Sequence, residues 1–229
     1  MKRIGLLGGM SWESTALYYR LLNEGVAERL GGLHSADLVL ASVDFAPIAQ
    51  LQADGRWDEA GAALAGRART LEAAGADLVL LCTNTMHKVA DHIQAAVNIP
   101  LLHIVDITAH AARRAGFSRV GLVATRFTME QPFYRDRMAT HGVDVLAPDE
   151  PGRDLVHRVI YDELCRGIVT ESSRQQVRAV IEGLAARGAE AVILGCTEIE
   201  LLISQDDCPI PALPTTALHA TAAIDAALS

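Results

Sequence analysis

Short apolar runs alternate with longer Ala-rich stretches along the whole chain. The runs are RIGLL (3–7), DLVLAS (37–42), DLVLLC (77–82), RVGLVA (119–124) and EAVILG (190–195). They are apolar nearly throughout rather than at every second position. A strand of that kind is buried on both faces, as in a parallel sheet covered by helices on either side. The stretches between predict helices at about 14–30 and 58–74. TTALHATAAIDAAL (215–228) reads as a closing helix that returns to the first part of the chain. The expected fold class is α/β.

Three segments of the chain occur twice. RIGLLGG from Arg3 recurs as RVGLVAT from Arg119, GADLVLLCTNT from Gly75 as GAEAVILGCTE from Gly188, and NIPLL from Asn98 as PIPAL from Pro209. The offsets are 116, 113 and 111 residues, in unchanged order. Three matches in register predict two pseudo-symmetric, parallel-sheet α/β domains. The first covers 1–103, with 214–229 returning to it, and the second covers 104–213. No low-complexity linker separates them, so the expected active site is a cleft between two closely packed domains.

Composition narrows the function. Half of the 229 residues are apolar but only 4% are aromatic, so Ala, Leu, Val and Ile must build the core. A net charge of -8 argues against a phosphate-backbone binder and predicts no nucleic-acid partner. Glycines interrupt the apolar start MKRIGLLGG before a signal peptide can form, and no apolar run reaches bilayer length. A cytoplasmic protein with no membrane partner is expected. The four cysteines lack CxxC spacing and read as free thiols. No HExxH or Cys/His zinc spacing is present, so no metal is expected. GLLGGM lacks the GxGxxG spacing of dinucleotide sites; Gly8 and Gly9 instead leave room for a ligand or a neighbouring loop. His87 reads as a helix-start residue facing water, with tuning of Cys82 as the alternative.

The repeat directs attention to Cys82 and Cys196. Each follows an apolar strand and precedes a threonine, in the contexts CTN and CTE. Ligands of parallel α/β sheets bind at the carboxyl ends of strands. Two thiols aimed at one carbon suit proton removal from one face and return to the other. A helix starting after each cysteine would lower its pKa, and its amides could hold a carboxylate. Thr83, Asn84 and Thr85 add hydroxyl and amide groups suited to that anion.

GLLGGMSWEST, LCTNTMHK and GCTEIELL together resemble the aspartate/glutamate racemase family, and the resemblance runs from end to end. It implies an isomerase of two pseudo-symmetric α/β domains, usually a homodimer, that racemises amino acids without a cofactor. It implies Cys82 and Cys196 as the acid/base pair. It also implies Met10, Ser11, Thr83 to Thr85, Thr125 and Thr197 as substrate-pocket positions, with Gln52 a neighbour. The expected reaction interconverts L- and D-aspartate, with glutamate a further substrate. Some aspartate-specific members carry a basic residue after strand two and a lysine near the segment here reading YDELCRG. This chain has no basic residue in VDFAPIAQ, and Cys165 and Arg166 in the second segment. Arg166, Lys88 and Arg56 are the candidate partners for a side-chain carboxylate. A broader racemase of neutral polar amino acids such as homoserine stays open, as does another reaction on the same scaffold. From a different class, a non-catalytic two-lobed binding protein also stays open.

Overall fold

The computed structural model describes residues 1–229. The chain divides into two compact units, 1–104 with 219–229, and 105–218. The first holds strands β1 (Ile4–Gly8), β2 (Leu38–Ser42), β3 (Leu78–Leu81) and β4 (Leu101–Leu102). Its helices are α1 (Trp12–Leu30), α2 (Phe45–Ala53), α3 (Trp57–Ala73) and α4 (Ala90–Gln94). Helix α5 (Ile104–Arg114) leads into the second unit. There β5 (Arg119–Val123), β6 (Asp144–Leu146), β7 (Ala191–Leu194) and β8 (Ala212–Pro214) form the sheet. Helices α6 (Arg126–Glu130), α7 (Pro132–Thr140), α8 (Glu150–Arg158), α9 (Glu171–Ala186) and α10 (Ile199–Leu202) accompany it, and α11 (Thr215–Leu228) closes the chain.

Each sheet has four parallel strands, ordered β2-β1-β3-β4 and β6-β5-β7-β8. Moving four strands along the chain therefore reproduces the topology. The registers agree with the sequence offsets. Leu7 pairs with Leu81, and their counterparts Val123 and Leu194 pair likewise. Leu80 pairs with Leu102, and Ile193 with Leu213. The inner strands β1, β3 and β7 are buried at every position, whereas the edge strand β2 is half-exposed. That burial is why the inner strands read as unbroken apolar runs.

The repeat extends to polar groups that complete the backbone at the strand starts. Arg3 pairs with Asp37 while its amide donates to Asp77; Arg119 pairs with Asp144 while its amide donates to Glu190. Gln94 Oε1 accepts from the Leu101 amide at 2.8 Å, and Gln205 Oε1 from the Ala212 amide at 2.7 Å. Strand β4 in one sheet and β8 in the other are short edge strands, and these side chains satisfy donors that the ladder leaves over. Gly5 and Gly121 explain the shared glycine of RIGLL and RVGLV. A Cβ on Gly5 would stand 2.9 Å from Ala76 Cβ and 3.3 Å from Leu71 Cβ, and one on Gly121 3.0 Å from Leu184. Helices α3 and α9 cross their strands too closely there for a side chain.

The first unit has two apolar layers. Leu7, Leu81 and Met86 pack with Ile48 of α2 and with Ala60, Leu64 and Ala68 of α3. Ile4, Leu6, Leu78, Leu80 and Cys82 face Tyr18, Leu22 and Val26 of α1 and Ala220, Ala223 and Ile224 of α11. The closing helix thus supplies part of the first sheet's cover. No helix is long and apolar enough to cross a membrane.

Candidate active site

The sequence-predicted residues fall on the carboxyl-end loops of the two sheets. In the first unit these are the β1–α1 turn with Met10 and Ser11, and the β3 loop with Cys82, Thr83, Asn84 and Thr85; Gln52 comes from α2. In the second they are Thr125 after β5, and Cys196 and Thr197 after β7. Every one of these residues is buried.

Ser11 caps α1, its Oγ accepting from the Ser14 amide, and the helix starts at Trp12, two residues before the expected start. Gly9 has φ +93°, and a Cβ there would stand 2.2 Å from the Val43 carbonyl. On Gly8 it would stand 2.4 Å from Thr15. The space left by these glycines is filled by the chain's own α1 and Val43. Met10 and Gln52 belong to the α2–α3 side of the sheet, where Gln52 Nε2 contacts Met86 Sδ at 2.8 Å. Cys82 packs on the opposite side. Thr125 caps α6 through a bond from the Thr128 amide.

His87 differs from its reading as a water-facing residue. It is buried, with Nδ1 2.7 Å from the Thr83 carbonyl. Its Nε2 accepts from the Ile104 amide at 3.2 Å. A nitrogen that accepts carries no proton, so Nδ1–H is the donor and the ring is neutral. His87 thereby anchors the turn that follows Cys82. Beside it, His219 lies 2.8 Å from the Tyr18 hydroxyl and 2.8 Å from the Leu102 carbonyl, and burial lowers its pKa to about 4.

The repeat does not put the two cysteines at the same backbone station. The Cys82 amide donates to Leu7, and the amide that donates to Val123, the counterpart of Leu7, is that of Gly195. Cys196 stands one residue later. A Cβ on Gly195 would meet Leu122 Cδ1 at 2.7 Å, so this station in the second sheet has no room for a thiol.

The surroundings of the two sulfurs differ accordingly. Cys82 is fully buried among hydrocarbon, and its thiol donates weakly to the Leu80 carbonyl at 3.7 Å. Burial pushes that thiol far up. Cys196 Sγ lies 2.9 Å from Glu198 Oε2, which also accepts from Thr197 Oγ1 at 2.8 Å. Burial raises the Cys196 thiol well above its usual value, and the Glu198 and Cys165 charges add to it. Tyr161, whose hydroxyl is also raised by burial, feels Cys196, Cys165 and Glu198. The expected lowering of the thiols by helix starts is therefore overturned: the turn after Cys82 and the four-residue α10 do not offset desolvation.

The candidate cations are differently placed. Arg56 pairs with Glu59 at 2.6 Å, and the Lys88 ammonium sits 4.1 Å from the centre of the Trp57 ring. Arg166 is exposed at the end of a 3₁₀ turn. A depression of about 810 Å³ between α8 and α9 contains none of the predicted site residues. Glu198 and Tyr161 are the neighbours that the sequence reading passed over. Glu198 was legible in the CTE context, two residues beyond the cysteine; Tyr161 carried no such signal.

A family model described as Asp/Glu/Hydantoin racemase matches residues 7–223. The chain belongs to that family. A crystal structure from Yersinia pestis, described as a candidate Asp/Glu racemase, is 53% identical, with 100% of each chain covered and a TM-score of 0.93. An aspartate racemase homologue from Pyrococcus horikoshii OT3 is 31% identical over 100% of each chain, with a TM-score of 0.87. The broad specificity amino-acid racemase RacX of Bacillus subtilis is 24% identical over 99% of this chain and 98% of its own. The protein is thus an isomerase of the amino-acid racemase type, and the non-catalytic reading falls away.

Proposed function

We propose that this racemase interconverts L- and D-aspartate, with glutamate a further substrate, without a cofactor, using Cys82 and Cys196 as its two acid/base groups. The observation that carries the reading is the doubled sheet. Two sheets with one strand order and one register each present a cysteine within two residues of the end of the strand paired beside the Gly-containing one, Cys82 after β3 and Cys196 after β7. A thiolate takes the α-proton, and the second thiol returns a proton to the other face of the carbon. Most racemases recruit an electron sink to make that proton acidic enough. Here fixed dipoles in a dry site stabilise the developing carbanion instead. Buried hydroxyls and amides at Ser11, Thr83, Asn84, Thr85, Thr125 and Thr197 are suited to the α-carboxylate and ammonium groups. A homodimer in the cytoplasm is part of the same proposal.

A second reading has a specific observation behind it. Two of the three candidate cations, Arg56 and Lys88, are engaged elsewhere, which leaves Arg166 for a side-chain carboxylate. A racemase of neutral polar amino acids such as homoserine needs no such cation. The purified protein, incubated with single L-amino acids and no added cofactor, should yield D-aspartate by chiral chromatography. Homoserine turnover above aspartate turnover moves the assignment to the second reading. Activity lost on trapping pyridoxal phosphate or removing metals overturns cofactor independence.

A further inference from the structure

Both thiols are buried, yet racemisation requires one of them to give up its proton. Only Cys196 has a proton acceptor in contact. Glu198 is itself buried, and its Oε2 stands 2.9 Å from Cys196 Sγ. The Glu198 amide also reaches the sulfur and favours its charged form. We propose that Glu198 is a positioning residue that takes the Cys196 proton, so that Cys196 becomes a thiolate without releasing a proton to solvent. This rests on the two-cysteine reading given above.

The protons balance. At rest Cys82 and Cys196 are thiols and Glu198 is a carboxylate, so three groups hold two protons. The Cys196 S–H bond breaks and an O–H bond forms on Glu198. The thiolate then takes the α-proton, and Cys82 gives its proton to the opposite face. Cys196 and Glu198 end protonated and Cys82 ends as the thiolate, ready for the reverse direction. Glu198 is neutral in both working states. The alternative, a thiolate beside a carboxylate at 2.9 Å, places two like charges together in a buried site and is strongly opposed. One negative charge shared by the pair avoids this.

Other groups near the pair do not replace Glu198. Thr197 donates to the same oxygen. Cys165 and Tyr161 belong to the 159–166 segment; a charge on Cys165 opposes one on Cys196, and the Cys196 and Glu198 charges hold the Tyr161 hydroxyl protonated. Glu200 on α10 is raised to about 7 by burial, and its Oε1 is held by the Thr216 amide.

The test is the pH profile of Glu198→Gln beside the wild type and Glu198→Asp. Racemisation (kcat/KM) and alkylation of Cys196 by iodoacetamide, read by mass spectrometry, are both followed from pH 6.5 to 8.5. With internal transfer, the wild type is flat in both, because no proton leaves the protein. Glu198→Asp keeps a carboxylate and a flat profile at reduced rate. Glu198→Gln must lose the thiol proton to solvent, so both readouts climb about tenfold per pH unit. A Glu198→Gln profile parallel to the wild type overturns the proposal, whatever its height. So does a wild-type profile that itself climbs tenfold per unit, which needs no variant to fold. Cys196→Ser separates this inference from the reading beneath it. Racemisation retained in that variant overturns the two-cysteine mechanism, while racemisation lost there with parallel Glu198 profiles overturns the Glu198 role alone.

Discussion

The loop after β3 sets Cys82 against hydrocarbon and one backbone carbonyl. The loop after β7 sets Cys196 against the Glu198 carboxylate, which Thr197 also bonds, within electrostatic reach of Cys165 and Tyr161. These loops leave sheets that agree in strand order, in register and in the arginine, acid and glutamine groups that finish their edges. The agreement is tight where backbone groups must be satisfied and helices must seat on strands. It ends at the carboxyl ends of the strands. There the second half carries Gly195 where the first carries Cys82, and its thiol moves one residue on. A duplicated scaffold therefore does not imply duplicated chemistry: one thiol is governed by desolvation alone, the other by desolvation and a neighbouring charge.

The largest expected effect removes either thiol. Cys82→Ser and Cys196→Ser keep the size of the side chain and substitute a hydroxyl whose conjugate base is far harder to form. Each should lose racemisation by about 10²–10⁴-fold or more, the usual contribution of an acid/base step. Circular dichroism should show an unchanged fold. Proton NMR in deuterated solvent sharpens the comparison. A variant with one remaining thiolate can exchange the α-proton of one enantiomer without inverting it, and the exchanging enantiomer should switch between the two variants. Full turnover in either variant would end the two-thiol mechanism.

The next effect concerns the side chain of the substrate. Arg166→Ala should raise KM for aspartate relative to homoserine by roughly tenfold to a hundredfold, the loss of a charge-assisted contact of about 1.5–3 kcal/mol. Arg56→Ala and Lys88→Ala should leave that preference alone, since Arg56 is held by Glu59 and Lys88 by Trp57. An unchanged preference in all three removes the acidic assignment.

Much of the fold was legible because its determinants are local and repeated. Continuous apolar strands such as LVLL in β3 can be read without knowing what they touch, and the paired segments from Arg3 and Arg119 revealed the doubling. The glutamine braces were not legible: Gln94 and Gln205 lie in dissimilar sequence, and their likeness is a hydrogen bond made seven residues along the chain. The one-residue offset of the cysteines, by contrast, was in the sequence: the 113-residue offset that aligns Gly75 with Gly188 sets Gly195 opposite Cys82. The shared Cys-Thr pairs drew the two thiols together, and the bonds from the Cys82 and Gly195 amides restore the 113-residue alignment. His87 looked like a surface residue because periodicity cannot reveal that a turn folds back under Ile104.

Gly195 offers a smaller, purely structural test of that offset. Gly195→Ala places a methyl 2.7 Å from Leu122 and 3.1 Å from Ala124, at the station where the first sheet accommodates a thiol. Overpacking of this kind costs about 1–3 kcal/mol. Urea unfolding should therefore show a lower midpoint at unchanged slope. An unshifted midpoint would mean that the second sheet has room for a side chain there, and that the two stations are alike after all.

The smallest effects should come from the remaining cysteines, and they should differ from each other. Cys208 is partly buried and donates to the Ser204 carbonyl at 3.4 Å, and its thiol is raised to about 11 by burial. A serine can make the same bond, so Cys208→Ser should leave turnover within about twofold, the scale of roughly 0.5 kcal/mol seen for substitutions away from special features. Cys165 shares the neighbourhood of Cys196 and opposes its ionisation only when itself charged. A neutral thiol exerts little of that opposition, so Cys165→Ser should also stay near the wild-type rate around pH 7. The two should separate in alkaline solution, because a charge on Cys165 opposes the Cys196 thiolate and a serine at that place carries none. Turnover by Cys165→Ser should then exceed the wild type, while Cys208→Ser continues to follow it. Identical curves for both variants across the range would place Cys165 outside the electrostatic reach of Cys196 and reduce the polar side of the comparison to Glu198, Thr197 and Tyr161.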